Sequence, residues 1–359
     1  MHRIAVDAMG ADGAPRSEVE GVVSAVRSGQ VDVILLGDEP RLRQELATLG
    51  AADEPRIEVR HAPEVITMDD APSIAVKQKK KSSMRLCFDL VKAGEAAAVV
   101  SAGNSGAMMA CGLFVLGRLP GVERPAIVTG FPTKTGECAL LDTGANVEPK
   151  ATTLAQWAAL GSVYARMLHG KTRPRVGLLS NGSEEHKGTA LTRETHQMLA
   201  RAGQGAAAAS AADFDYVGCV EGRDVFRGAV DVVVTDGFTG NVVLKSVEGA
   251  AEVIMSMVRE EVERAGVLAK LGAALMMKPL RRLRAATDYA EYGGAPLLGV
   301  DGVALVCHGR SNGRAIENAI GVATKLASKG LGSETTAAMA RNAFLWSAPA
   351  PSAAAGGPS

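Results

Sequence analysis

Residues 232–241 carry the clearest chemical signal in the sequence. They read Val-Val-Val-Thr-Asp-Gly-Phe-Thr-Gly-Asn, an apolar run that ends in a small polar loop before a helical pattern. Glycine lets the backbone bend where a Cβ would clash, and the start of a helix offers unpaired N–H groups and a positive dipole end. The stretch therefore predicts an anion-binding site. Its candidate binding residues are Asp236, Gly237, Thr239 and Gly240.

The same pattern of strand, polar loop and helix occurs twice more. Residues 4–10 read Ile-Ala-Val-Asp-Ala-Met-Gly, and residues 98–106 read Ala-Val-Val-Ser-Ala-Gly-Asn-Ser-Gly. Either each is an ordinary turn that needs glycine, or the three together line one cleft for a phosphate-bearing ligand. Three such junctions favour the shared cleft. The candidate binding residues are Asp7, Gly10, Gly103, Asn104, Ser105 and Gly106.

Two further polar loops follow apolar runs. Residues 180–188 contain Gly182 and place Lys187 at the start of a predicted helix. A lysine beside a glycine-rich loop suits a phosphate or a developing oxyanion, although a solvated first-turn lysine is the alternative. Residues 141–146 read Leu-Asp-Thr-Gly-Ala-Asn, in which Asp142 and Asn146 either face the cleft or cap the next helix.

Several familiar catalytic patterns are missing from the sequence. It contains no GxxxxGK[ST], HExxH or GxGxxG motif, and its six histidines do not cluster at ligand spacing. Cys307 and His308 are adjacent, and a strand would point them to opposite faces, which disfavours a Cys/His pair. The sequence therefore predicts no metal, no cofactor and no covalent nucleophile.

The bulk composition excludes other classes of protein. The 39 basic and 39 acidic residues give zero formal charge, which disfavours a general nucleic-acid binder. The five cysteines are scattered without a CxxC pair, which indicates buried thiols in a reducing compartment. Since no signal peptide opens the sequence and no apolar run approaches about 18 residues, we expect a cytoplasmic protein.

Strand-like runs alternate with helical segments along the whole chain. This alternation predicts a doubly wound, mostly parallel sheet in an α/β/α sandwich, with residues 131–138 forming a local antiparallel hairpin. We expect one catalytic domain over residues 1–345, a low-complexity linker at 203–213 and a disordered tail at 346–359. The predicted strands lie near 3–7, 31–36, 57–60, 97–101, 126–130, 138–142, 175–180, 216–220, 231–235 and 303–307.

These segments resemble the bacterial phosphate acyltransferase family, the acyl-acyl carrier protein:phosphate acyltransferases of phospholipid synthesis. The resemblance runs in order over about residues 3–325. It departs from the family at residues 10–13, which lack the usual histidine, and at Ser180, where the family has asparagine. The matching motifs are 4–10, 101–106, Arg-Pro-Ala at 124–126, 141–146, Gly-Ser-Val-Tyr at 161–164, 235–242 and Glu-Tyr-Gly-Gly-Ala at 291–295.

The resemblance implies a fold of the isocitrate dehydrogenase type, a homodimer, and transfer of a fatty acyl group from acyl carrier protein to inorganic phosphate. The acyl phosphate product would pass to a membrane-bound glycerol-3-phosphate acyltransferase. Lys187 and Asn241 become the predicted catalytic residues, and Asp7 a loop organiser. The alternatives are a phosphotransacetylase-like enzyme that uses coenzyme A thioesters and a non-catalytic phosphate sensor or lipid-binding protein; a decarboxylating dehydrogenase would need an Asp-x-x-x-Asp cluster that the sequence lacks.

The segment 267–284 has an apolar stripe beside a cationic face, within a predicted helical extension over 245–290. From Arg264 to Thr287 there are six basic residues and no acidic one. This pattern is typical of a helix that lies on an anionic membrane surface; the alternative is a helical hairpin packed in a dimer. The predicted membrane-contact residues are Leu268, Leu271, Leu275, Lys278, Arg281 and Arg282.

Overall fold

One mixed β-sheet organises the chain. The computed structural model describes residues 2–29, 31–184, 186–203, 212–266, 272, 275–276 and 293–347. Within these ranges the sheet has eleven strands. They are β1 (Arg3–Asp7), β2 (Asp32–Gly37), β3 (Ile57–His61), β4 (Ala98–Ser101), β5 (Ala126–Thr133), β6 (Gly136–Leu141), β7 (Arg175–Leu179), β8 (Asp215–Val220), β9 (Val232–Val234), β10 (Ala295–Leu298) and β11 (Val303–Val306).

The strand order is β3-β2-β1-β4-β11-β10-β5-β6-β9-β7-β8. The first five strands in this order are mutually parallel, and so are β6, β9, β7 and β8. Between these two groups, β10 is antiparallel to both β11 and β5, and β5 is antiparallel to β6. Three reversals of direction therefore separate the two parallel halves. As a result, their carboxyl ends point to opposite edges of the sheet.

Helices cover both faces of this sheet, as the alternating pattern predicts. Val19, Trp157 and Ile320 belong to one buried cluster with Leu305, while Phe88 belongs to another with Val306. Neighbouring residues of β11 thus face opposite layers. The helices are α1 (Arg16–Ser28), α2 (Glu39–Thr48), α3 (Pro72–Gln78), α4 (Ser83–Lys92), α5 (Ser105–Cys111), α6 (Ala151–His169), α7 (Ala190–Leu199), α8 (Gly237–Arg264), α9 (Gly313–Ser328) and α10 (Leu331–Arg341).

The structure confirms the mostly parallel α/β class and the antiparallel hairpin, in which Thr133 pairs with Gly136. It also corrects the prediction in four places. The short strand β10 was not predicted, α8 begins at Gly237 inside the predicted polar loop, and α7 begins after Lys187 rather than at it. Trp346, placed in the predicted tail, packs against the core. The five cysteines are buried, as predicted.

The predicted membrane-contact segment at 267–284 lies almost entirely outside the described residues, as does most of the predicted linker. Of its predicted membrane-contact residues only Leu275 is described, and its side chain is 84% exposed. None of the helices in the described ranges is both long and apolar enough to cross a membrane.

Candidate active site

Asp142 organises the loop that follows β6. Its buried carboxylate accepts hydrogen bonds from the backbone N–H groups of Ile127 (3.0 Å), Ala145 (3.1 Å) and Asn146 (2.6 Å). The side-chain amide of Asn146 donates to the same carboxylate and to the carbonyl of Pro125. Burial raises the pKa of Asp142, and these hydrogen bonds oppose that rise. The side chain therefore holds the loop in shape, and it does not cap the next helix, because α6 begins at Ala151 with Lys150 at its N-cap position.

The first turn of α8 packs directly on this loop. The Asp236 carboxylate accepts from the backbone N–H (2.8 Å) and hydroxyl (2.7 Å) of Thr239, so it caps the helix. The Gly237 N–H donates to the Asn146 carbonyl at 2.8 Å and is not free for an anion. Asn241 is exposed, and its side chain lies beside Gly144. We call Asp142–Asn146 with Asp236–Asn241 the β6–β9 loop group.

The glycines of this group serve close packing. Gly237 and Gly240 lie inside α8, and neither adopts a left-handed φ. A Cβ on Gly237 would come within 2.5 Å of the Asn146 carbonyl oxygen, and one on Gly240 within 1.9 Å of the Asp142 carbonyl oxygen. Small residues are required because the helix touches the backbone of the neighbouring loop.

Lys187 lies in the loop after β7, at the same edge of the sheet as the β6–β9 loop group. Its Nζ is 3.6 Å from a carboxylate oxygen of Glu184, and its side chain is 41% exposed. The aliphatic stem passes Gly182, where a Cβ would lie 3.0 Å from Lys187 Cδ. The ammonium group therefore remains accessible to a ligand at this edge.

A second group of loops follows β1 and β4, and we call residues 7–10 with 101–106 the β1–β4 loop group. The Asp7 carboxylate is buried and accepts from the Ser101 hydroxyl (2.6 Å) and the Met9 N–H (3.2 Å). Burial raises its pKa, and these bonds oppose that rise. Asp7 is thus a loop organiser. Gly10 is needed because a Cβ there would lie 2.7 Å from the backbone of Gly103.

Asn104 anchors this second group to the preceding segment of chain. Its side-chain oxygen accepts from the Ala107 N–H at 3.1 Å, and its amide donates to the carbonyls of Thr67, Met68 and Asp70 at 3.2 Å each. All of its polar atoms are occupied within the protein. Ser105 and Gly106, by contrast, are exposed at the start of α5.

The predicted binding residues therefore fall into two groups that follow strands of opposite direction, and their joint lining of one cleft stays a prediction. No hydrogen bond joins the groups within the described part of the chain. The helix α8 connects the two regions. It begins in the β6–β9 loop group and carries Lys245. Burial lowers the pKa of His308, which follows β11, and the charge of Lys245 lowers it further. Cys307 is buried and His308 is partly exposed.

Two arginines that the sequence did not single out lie beside this site. Arg118 and Arg124 line a cavity of about 380 Å³ with Asn146 and Pro125, directly against the β6–β9 loop group. The Arg-Pro-Ala motif at 124–126 was the available signal, but the sequence gave it no role. Within the described ranges, no three His, Cys, Asp or Glu side chains group closely enough to hold a metal ion.

Comparison with solved structures places this architecture in a known class of fold. A phosphotransacetylase from Streptococcus pyogenes superimposes with a TM-score of 0.61 over 92% of this chain and 94% of its own, at 16% identity. A branched-chain phosphotransacylase from Enterococcus faecalis gives a TM-score of 0.53, at 13% identity, over 90% and 99% of the two chains. The fold is that of the phosphotransacetylases.

Comparison of sequences identifies the family. A family described as "Fatty acid synthesis protein" matches residues 2–334. A phosphate acyltransferase from Geobacter sulfurreducens is 53% identical over 92% of each chain, and one from Myxococcus xanthus is 50% identical over 95% of this chain and 94% of its own. The chain belongs to the phosphate acyltransferase family and is an acyltransferase, which confirms the predicted resemblance.

Proposed function

We propose that the protein transfers a fatty acyl group from acyl carrier protein to inorganic phosphate, giving an acyl phosphate for phosphatidic acid synthesis. The observation that carries this proposal is the 53% identity, over 92% of each chain, to a protein named phosphate acyltransferase. The motifs that supply both loop groups and the Lys187 loop lie inside the matched range. The description of the family as a fatty acid synthesis protein supports a fatty acyl donor.

The reaction needs little acid–base catalysis. A phosphate oxygen attacks the thioester carbonyl carbon, the C–O bond forms, and the C–S bond of the tetrahedral intermediate breaks to release a thiolate. Phosphate is largely dianionic near neutral pH, and a thiol of pKa about 8.5 is a good leaving group that takes its proton from water. The protein must mainly position the reactants and stabilise the oxyanion.

The cysteines are poorly suited to act as covalent carriers of the acyl group. All five are buried, and burial raises the pKa of Cys111, Cys138 and Cys307 to about 12. A thiol must ionise and reach the substrate to attack a thioester. Direct attack by phosphate is therefore the mechanism that these side chains favour.

Lys187 and Asn241 are the proposed catalytic side chains. The accessible ammonium of Lys187 would hold the incoming phosphate or the oxyanion, and the exposed amide of Asn241 would orient one of them. Asp142, Asp236 and Asp7 are occupied by hydrogen bonds and keep the loops rigid. Of the predicted binding residues, these carboxylates act as supports, since a free carboxylate would repel phosphate.

A basic surface near α3 suits an acidic carrier protein. Lys77, Lys80 and Lys81 are exposed, whereas Lys79 is held by Asp70 and the Val65 carbonyl. Lys77 Nζ lies 5.2 Å from the centre of the exposed Phe114 ring. Opposite charges at such a rim speed association and fix orientation. The other basic cluster in the sequence, at 281–284, lies outside the described residues.

We also propose that the protein is a homodimer that binds anionic membranes at their surface. Only Gly237 and Gly240 of the 28-residue helix α8 are buried, while Phe238, Ile254 and Met257 are 59–63% exposed. A second copy of the chain is the occupant that would cover this apolar face. The segment 267–284 would bind lipid, close to the membrane-bound acyltransferase that uses the product.

One assay tests the proposed reaction against its alternative. Purified protein is incubated with phosphate and either a long-chain acyl-acyl carrier protein or the matching acyl-coenzyme A, and acyl phosphate is measured. We expect a higher kcat/KM for the carrier-protein thioester. Preference for the coenzyme A thioester would support the phosphotransacetylase-like alternative, and no acyl phosphate from either donor would contradict both.

A further inference from the structure

The cavity beside the β6–β9 loop group has an excess of positive charge. It is lined by Leu113, Arg118, Glu123, Arg124, Pro125 and Asn146. Arg118 donates to the Glu123 carbonyl at 2.6 Å, which fixes its direction. Across the residues that the structure describes, neither guanidinium forms an ion pair. We call Arg118 and Arg124 with this cavity the arginine pocket.

The one carboxylate at the arginine pocket is already occupied. Glu123 accepts from the hydroxyls of Thr152 at 2.9 Å and Thr153 at 3.0 Å, and it faces the Lys150 ammonium at 3.5 Å. Burial raises its pKa, but the hydrogen bonds from the two threonines and the nearby ammonium outweigh burial, so the pKa is lowered overall. Its charge is balanced by these partners, and two guanidinium groups remain for a ligand. The pocket therefore fits an anion.

The position of the pocket links the two regions that a thioester donor would touch. On one side, Asn146 accepts from the N–H of Gly237 at the start of α8. On the other, Leu113 precedes Phe114, whose ring lies under the ammonium of Lys77. A ligand in the pocket would thus lie between the candidate active site and the basic surface near α3.

We propose that the arginine pocket binds the phosphodiester of the donor's phosphopantetheine arm. The inference rests on the proposed function, in which the donor thioester is carried by such an arm. Guanidinium groups match the paired oxygens of a phosphate group, and Leu113 and Pro125 supply an apolar wall for the arm's dimethyl carbon. The thioester end would then extend to Asn241. Inorganic phosphate has similar oxygen atoms, so the test must distinguish binding of the donor's phosphodiester from binding of inorganic phosphate.

The experiment compares donors that differ only in this phosphate. KM is measured for acyl-phosphopantetheine, for acyl-pantetheine and for inorganic phosphate, with the wild type, Arg118→Gln, Arg124→Gln and the control Arg43→Gln on α2. A hydrogen bond to a charged group is worth about 1.5–3 kcal/mol, so each pocket variant should raise KM for the phosphorylated donor roughly ten- to a hundredfold. KM for acyl-pantetheine and for inorganic phosphate, and kcat, should stay unchanged, as should every constant of the control.

Two results would overturn this assignment. An equal rise in KM for acyl-pantetheine would mean that the arginines do not bind the phosphate group of the donor. A raised KM for inorganic phosphate would mean that they bind the attacking phosphate instead. Calorimetric binding of 4′-phosphopantetheine gives an answer independent of turnover. Binding that the variants lose, in a wild type that turns over no thioester, would support the pocket and contradict the proposed function. An absence of binding in a wild type that does turn over the thioester would support the proposed function and contradict the pocket.

Discussion

The backbone carbonyl of Asp142 lies against Gly240, so that a Cβ at position 240 would approach its oxygen to 1.9 Å. Gly240→Ala should therefore force the start of α8 away from the β6–β9 loop group, and Gly240→Val should be worse. Overpacking of this kind costs about 1–3 kcal/mol. Thermal unfolding and turnover should both fall. The matched control is Gly249→Ala, on the same helix with open space around it, which should be neutral or stabilising. Equal behaviour of the two alanine variants would contradict this explanation.

Lys187→Ala should reduce turnover about 10²–10³-fold with little change in thermal stability. The stability should be unaffected because the side chain is 41% exposed and its charged neighbour, Glu184, is 3.6 Å away. Lys134→Ala, at the exposed turn between β5 and β6, serves as the control in the same steady-state assay. Near wild-type turnover by Lys187→Ala would identify Lys187 as an ordinary solvated lysine.

Glu18 should make the stability of the protein depend on pH. Burial raises its pKa from 4.5 to about 7, which hydrogen bonding from Ser17 only partly opposes. The folded state binds this proton more tightly than the unfolded chain, so its contribution is full below pH 4.5 and is lost as pH rises through 7. The loss is about 3 kcal/mol, since one pKa unit is worth about 1.4 kcal/mol. Glu18→Gln should therefore weaken the pH dependence of the unfolding free energy between about pH 5 and 8, the range that these two pKa values bound.

Denaturant unfolding at several pH values measures this effect. Glu20→Gln is the control, because it lies on the same helix and its side chain is 40% exposed. An unchanged slope in Glu18→Gln, or the same change in both variants, would show that other groups set the pH dependence.

The exposed face of α8 should determine the oligomeric state. Ile254→Glu and Met257→Glu place a charge on a surface that is about 60% exposed in the single chain and that a second copy would bury. Light scattering at micromolar concentration should show a dimer for the wild type and a monomer for the variants. Gln44→Glu, on the exposed side of α2, introduces the same charge and should leave the dimer intact. A monomeric wild type would contradict the proposal.

The segment 267–284 should bind anionic vesicles in a salt-sensitive way. Each basic residue near such a surface contributes about 1 kcal/mol, and the apolar stripe adds buried area. Cosedimentation should show binding by the wild type and a loss in the double variant Leu271→Glu/Leu275→Glu. Leu275 is 84% exposed, so a charge there has no packing to disturb within the described chain. Equal binding by both proteins, or by neither, would reject a membrane role for this segment.

The fold class and the family could be predicted from the sequence because both depend on short, local sequence patterns. An apolar run such as 232–234 followed by Asp236 and Gly237 marks a strand end and a helix start wherever it lies in the protein. The same holds for the hairpin at 131–138 and for the burial of the cysteines. Short motifs in a fixed order also identify the family without any knowledge of how they meet in space.

The tertiary structure alone decided which of these loops share an edge of the sheet. The strand β10 has only four residues and includes a proline. It pairs with β5, more than 160 positions earlier in the chain, so no local sequence pattern predicts it. Its antiparallel course contributes to the reversal of strand direction between β1 and β6, so the loops that carry Asp7 and Asp142 follow strands of opposite direction. The close-packing roles of Gly237 and Gly240 also depend on tertiary structure, because the carbonyl groups that leave no room for a Cβ belong to a loop about a hundred residues away. Arg118 and Arg124 gain a shared cavity with Asn146 only when the chain folds, since pairing between distant segments depends on packing rather than on neighbouring residues.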